Sequence, residues 1–162
     1  MESQYLGLAN KGLFFTVFTA FSIFSRLFAG KISDRFGRVP VLMVGGVMIG
    51  LSLLVIGYAN SVTSLMIGGG CLGFATGCAS PAVFAWTIDR CKDEHRGRAL
   101  ATVYIALEVG IGMGAFLSAL TYNNQPENFG ITFFLTALAS VMATVYLIAF
   151  WIKNGNSNLN KS

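Results

Sequence analysis

Apolar residues run along this chain in five long blocks, Leu13–Gly30, Val41–Ala59, Ser64–Ile88, Ala99–Tyr122 and Ile131–Ile152, separated by short polar connections. Each block holds about 18 residues or more, and a helix of that length rising ~1.5 Å per residue crosses a hydrocarbon core of about 30 Å. In lipid a segment must satisfy its own backbone hydrogen bonds or close into a barrel, and none of the blocks shows the two-residue alternation of a barrel strand. The pattern predicts an all-α fold, a polytopic bundle of five transmembrane helices. A polar segment, Met1–Gly12, precedes it, and a polar tail, Lys153–Ser162, follows.

Composition strengthens this picture. The 162 residues are 54% hydrophobic and 11% charged, against about 25% charged in soluble domains, which excludes a water-soluble globule. Nineteen Gly and fourteen Phe suit close-packed helices with aromatic side chains turned to lipid. The net charge of +4 does not point to nucleic acid, because the cations are confined to connections. Lys31, Arg35 and Arg38 fall in the first, Arg90, Lys92, Arg96 and Arg98 in the third, Lys153 and Lys161 in the tail, with Arg26 just inside the first span. Asn60–Thr63 and Asn123–Phe129 carry none, and only Lys11 precedes the first span. Cytoplasmic loops concentrate Lys and Arg, so the amino terminus is expected outside and the carboxyl terminus inside a plasma or inner membrane. A start outside without an export signal suggests a preceding span.

Small residues mark two helices for close packing, Gly69, Gly73 and Gly77 in the third span and Ala106, Gly110, Gly114 and Ser118 in the fourth. Between lipid-embedded helices association comes from contact and hydrogen bonding, since the acyl chains are already apolar. Pro81 removes a backbone donor from the third span and is expected to bend it. The second and fifth spans carry fewer such signals and are expected to face lipid. Phe133, Phe134, Tyr146, Phe150 and Trp151 lie near the ends of the fifth, where aromatic belts form. Cys71, Cys78 and Cys91 lack ligand spacing, so no disulfide, metal or cofactor is expected. No paired carboxylates and no nucleophile–base set lie within the spans, and the chain is not expected to be an enzyme.

The most specific stretch is Gly30-Lys31-Ile32-Ser33-Asp34-Arg35-Phe36-Gly37-Arg38-Val39-Pro40. Gly30 and Gly37 suit an abrupt reversal, Asp34 is placed to cap a helix start, and Arg35 and Arg38 suit the headgroup layer. This stretch resembles the signature loop of the major facilitator superfamily, G-x-x-x-D-R-x-G-R, found between the second and third helices and often again between the eighth and ninth. All fixed positions match, at Gly30, Asp34, Arg35, Gly37 and Arg38. In that family the Asp and the final Arg join a carboxylate at the cytoplasmic end of the helix two spans later, a charged latch that stabilises the outward-open form. The resemblance implies a latch of Asp34, Arg38 and Asp89. Asp89 closes the third span at the membrane level of the loop, although it could also simply balance Arg90 and Lys92.

Two further segments are similar to the family. Asp93–Ala99 resembles the inner connection into its fifth or eleventh helix, with His95 expected at the surface. Gly110-Ile111-Gly112-Met113-Gly114 resembles its glycine-rich helix, with Ala115 where the antiporter form has Pro. Glu108 stands apart from both, about 15 Å beyond Arg98 along a helix and so near mid-membrane. A carboxylate there is costly and must face protein or a wet cavity. It serves either as a structural partner of Arg26 or as a coupling site for a proton or cation, or as a contact to a cationic substrate.

The order of features matches the last five helices of a twelve-helix carrier, the eighth through the twelfth. Alternating access in such carriers rocks two six-helix halves about a midplane site, so this chain is expected to be a partial, carboxyl-terminal version of a proton-coupled solute transporter that does not transport alone. Its expected partners are the lipid bilayer, a small solute, protons, and either the missing half or a second copy. The alternative is a small structural membrane protein that binds other helices through its glycine faces. On this topology Cys91 is expected to react with a membrane-impermeant maleimide from the cytoplasmic side; labelling from outside alone would reverse the orientation.

Overall fold

The protein is described from a computed structural model covering residues 12–122 and 128–159. The sequence-based expectations for Met1–Lys11, for most of the Asn123–Phe129 connection and for the end of the tail lie outside the described residues. Five long helices follow one another: α1 Gly12–Phe36, α2 Arg38–Gly57, α3 Val62–Asp89, α4 Arg96–Tyr122 and α5 Phe129–Leu159, with a 3₁₀ turn at Asp93–His95 leading into α4. Each contains a stretch long and apolar enough to cross a membrane, and no strand occurs among the described residues. The all-α membrane bundle expected from the apolar blocks is what the chain forms.

α3 is the central post. It packs along α1 on one side and α2 on another; α2 in turn carries α5, while α4 makes only sparse contact with α3 and α5. The α1–α3 seam is built on small residues of both helices. α1 buries Ser22, Ser25, Ala29 and Ser33, spaced three or four apart on one face, while on α3 Gly69 lies under the Phe14 ring, Gly73 against the Phe18 backbone and Gly77 against Ser22 and Ser25. A methyl group on Gly73 would strike the Phe18 carbonyl, and one on Gly77 would strike the Ser25 hydroxyl and the Ser22 backbone. Here the missing side chains are what let the backbones meet. Ser25 Oγ donates to the Ser22 carbonyl at 3.0 Å, so the buried hydroxyl is satisfied within its own helix.

α2 departs from the expectation that it chiefly faces lipid, since it packs on both α3 and α5, whereas α5 is mostly exposed, as expected. α2 buries Val41, Leu42, Gly45, Gly50, Ser52, Leu53 and Ile56. Gly46 faces the Thr144 side chain and Gly57 faces Phe133, while Ser140 Oγ donates 2.8 Å to the Gly46 carbonyl. The signal was present as Gly45, Gly46, Gly50 and Gly57, of which Gly46 and Gly50 lie near the hydroxyls of Thr144 and Ser140, but its spacing is not a regular ladder. Two apolar clusters close the ends of the bundle: Val41, Leu42 and Ala82 with Ile32, Trp86 and Leu147 at one end, and Ile56, Ala59 and Leu65 with Phe14, Leu72 and Phe133 at the other.

α4 is the least covered helix. Among the described residues nothing lies within contact distance of a methyl group built on Gly110, Gly112 or Gly114, and no residue of α4 is buried. It is tethered by a ring contact between Phe84 and Tyr104, with centroids 5.0 Å apart, and by the Thr121 and Thr132 hydroxyls at 3.1 Å.

The turn between the first two helices is also tighter than Gly30–Pro40. Gly30 through Phe36 are helical and the reversal is confined to Gly37, whose φ of +91° suits a residue without Cβ. Gly30 is a helical position with open space around it. Asp34 therefore lies in the last turn of α1, and the N-cap of α2 is Gly37, with no side-chain hydrogen bond. No helix breaker precedes Gly37, so the helix outruns its apolar block. α3 likewise continues through Pro81.

Gly73→Val is expected to cost about 1–3 kcal/mol by overpacking the α1–α3 seam, read as a lower thermal midpoint in lipid nanodiscs. Gly110→Val, on the uncovered helix, is expected to leave the midpoint of the same chain within about 0.5 kcal/mol.

Candidate functional site

At the end of the bundle where α1 and α3 finish and α2 begins, three charged side chains converge. Asp34 sits in the final turn of α1, Gly37 reverses the chain, Arg38 opens α2, and Asp89 closes α3. Arg38 Nη1 lies 2.6 Å from Asp34 Oδ1, and its Nε lies 3.0 Å from Asp89 Oδ2. Nη1 also donates to Ser33 Oγ at 3.2 Å. A guanidinium has donors in a planar fork, so one side chain ties the ends of three helices.

Helix ends explain why these charges hold one another. Asp34 and Asp89 each stand at the carboxyl end of their own helix, and Arg38 at the amino end of its own, the ends where the macrodipole disfavours their sign. The cross-helix arrangement reverses this, because the Arg38 cation reaches the carboxyl ends of α1 and α3. The three side chains are 25% exposed at Arg38, 65% at Asp34 and 52% at Asp89. Pairs this open contribute about 0.2–1 kcal/mol each. Such a cluster is too weak to hold the fold and large enough to bias two conformations of similar energy.

Gly30 and Arg35 do not join the cluster; the Arg35 guanidinium lies 5.7 Å from the Phe36 ring centroid. Arg96 pairs with Asp93 at 2.9 Å where α4 begins, and His95 is exposed beside it. The expected pairing of Glu108 with Arg26 does not form among the described residues. Both side chains are exposed, and their helices, α4 and α1, each pack on α3 and not on one another. α3 separates them.

Sequence reasoning missed two features. Ser33, a variable position in the signature pattern, is only 2% exposed and supplies a third acceptor to Arg38. Arg90, read as a topology signal or a counter-charge to Asp89, lies exposed against the rings of Trp86 and Phe150; the four-residue spacing from Trp86 was the available clue. Among the described residues, the clefts that open on the bundle include two between helices. One of about 550 Å³ lies between α4 and α5, lined by Ser118, Tyr122, Thr132 and Thr136; an apolar one of about 270 Å³ beside the charged end is lined by Ile32, Phe36, Val44, Met48 and Phe74. Neither includes Glu108.

A family profile described as Major Facilitator Superfamily matches residues 2–162. The chain is 33% identical over 87 residues to the multidrug resistance protein MdtL of Vibrio parahaemolyticus, covering 54% of this chain and 22% of that protein. It is 27% identical over 150 residues to multidrug resistance protein 2 of Bacillus subtilis, covering 88% of this chain and 35% of that one. A Na(+), Li(+), K(+)/H(+) antiporter of Planococcus maritimus is 30% identical over 125 residues, with 74% of this chain and 30% of the antiporter covered. The chain thus spans well under half the length of the curated relatives it matches.

Arg38→Gln is expected to lower stability by about 1 kcal/mol, and Arg38→Lys is expected not to restore it, because an ammonium cannot present the same fork to two carboxylates. Thermal midpoints of the two variants in nanodiscs check this; full recovery with Lys would show that the charge alone suffices.

Proposed function

This chain belongs to the major facilitator superfamily, and we propose from that premise that it is the carboxyl-terminal part of a secondary carrier moving a small solute across the plasma or inner membrane in exchange with protons. The observation that carries the reading is the Arg38 bridge, which joins Asp34 and Asp89 from three helix ends. A cluster of that size forms in one arrangement of helix ends and comes apart in another, so it acts as a latch on one access state. Alternating access needs a second bundle to rock against this one. The open face of α4, where no other described residue lies against Gly110 or Gly114, is the surface offered to that second bundle, whether the remaining helices of the carrier or another copy.

Glu108 lies on the same open helix. In lipid its carboxylate would be costly, so in the working carrier it faces the cavity between bundles and takes up and releases the coupling proton. Multidrug resistance and cation/proton antiport, for which these relatives are named, both fit a carrier of this kind. It performs no covalent chemistry on its solute. The uncovered ladder of α4 equally favours a second reading, in which the chain is a passive membrane protein that only binds other helices.

Proton flux distinguishes the two. In inverted vesicles containing the chain with its completing helices, a pH-sensitive dye is expected to report proton movement on adding a transported cationic drug, Na⁺, Li⁺ or K⁺. Glu108→Gln is expected to remove that response, and Asp34→Asn to slow it several-fold at equal expression. No solute-dependent response, together with no effect of either substitution beyond expression level, establishes the passive reading.

A further inference from the structure

Asp89 has a rival for Arg38 immediately beside it. Arg90 is the next residue, carried at the C-cap of α3, and nothing in the chain's covalent structure prevents its guanidinium from folding back onto the Asp89 carboxylate. It points elsewhere. Arg90 Cζ lies 5.3 Å from the centroid of the Trp86 ring, one turn back on α3, and 4.7 Å from that of Phe150 on α5. The two rings pack edge to face, 5.5 Å apart with an interplanar angle of 83°, a favoured geometry for an aromatic pair. We propose that Trp86 and Phe150 form an aromatic clamp that withholds Arg90 from Asp89 and so reserves that carboxylate for Arg38.

The relative strengths favour the clamp. Cation–π contacts within about 6 Å of a ring are individually comparable to a half-exposed ion pair, and Arg90 makes two of them. The aromatic faces are also preorganised, since Trp86 and Phe150 are held in mutual contact and part-buried. Arg96, a second cation of the same connection, is already taken by Asp93. Arg90 is therefore a positioning residue: it touches no solute and acts by being kept away. Because one ring belongs to α3 and the other to α5, separation of the cytoplasmic ends of those helices would release Arg90 onto Asp89 and weaken the Arg38 bridge. The inference rests on the latch reading and extends it to α5, a helix with no member in the charged cluster.

The test is the coupling between Arg38→Gln and Asp89→Asn, measured as the non-additivity of their thermal midpoint shifts in the full chain in lipid nanodiscs. The coupling is expected to be present in the parent, to fall to less than about half in Phe150→Leu, and to return when Arg90→Gln is added to Phe150→Leu. Phe150→Tyr, which keeps a ring, and Arg90→Gln alone are both expected to retain it. Coupling undiminished in Phe150→Leu overturns the clamp, and so does coupling lost there but not regained with Arg90→Gln, since Phe150 would then act only as packing. If Phe150→Leu does not fold, loss of coupling in Arg90→Gln alone overturns the clamp and retention supports it. Absence of coupling in the parent is a different failure, because it removes the latch itself.

Discussion

Inside a bilayer an apolar side chain gains little by leaving acyl chains for another helix, so packing depends on how closely backbones can approach. In this chain that approach is concentrated where Gly73 and Gly77 of α3 meet the α1 backbone at Phe18 and Ser22. The seam sets the lateral position and the axial register of the two helices together. Register matters most at their far ends, since a shift of one turn along either axis would move Asp34 and Asp89 about 5.4 Å apart in depth. Arg38 could then reach only one of them. The glycines thus fix a distance at a site several turns away from any of them.

The site is built on weak terms by necessity. Had the three charges been buried, breaking any pair would leave an uncompensated ion at a cost of about 3–5 kcal/mol, and the arrangement would resist opening. Left partly in water, each pair costs only about 0.2–1 kcal/mol to break, and the buried Ser33 offers Arg38 an acceptor besides the two carboxylates. Exposure here favours reversibility.

The sequence made the five helices legible because apolar length is a one-dimensional property, and it made the charged cluster legible because Asp34, Arg35, Gly37 and Arg38 keep a fixed spacing in a familiar pattern. Partner choice was harder to read. Gly45, Gly46, Gly50 and Gly57 have no single periodicity, yet they lie against α3 and α5, whereas the regularly spaced Gly110 and Gly114 meet nothing among the described residues. Small-residue spacing tells that a backbone can be approached but not by which helix. The Glu108–Arg26 pairing failed for the same reason: depth in the membrane was computable from the sequence, and the interposition of α3 was not. The helical course of Gly30–Phe36 was obscured because polar residues end an apolar block without ending a helix.

Gly37 carries a mechanical consequence of its own. One residue joins α1 to α2, too short a tether for either to slide past the other. The α1–α3 seam and the Ser140–Gly46 hydrogen bond extend that restraint through α3 and α5. These restraints bind α1, α2, α3 and α5 over long stretches of their length, whereas α4 is secured among the described residues mainly by a ring contact and a pair of hydroxyls.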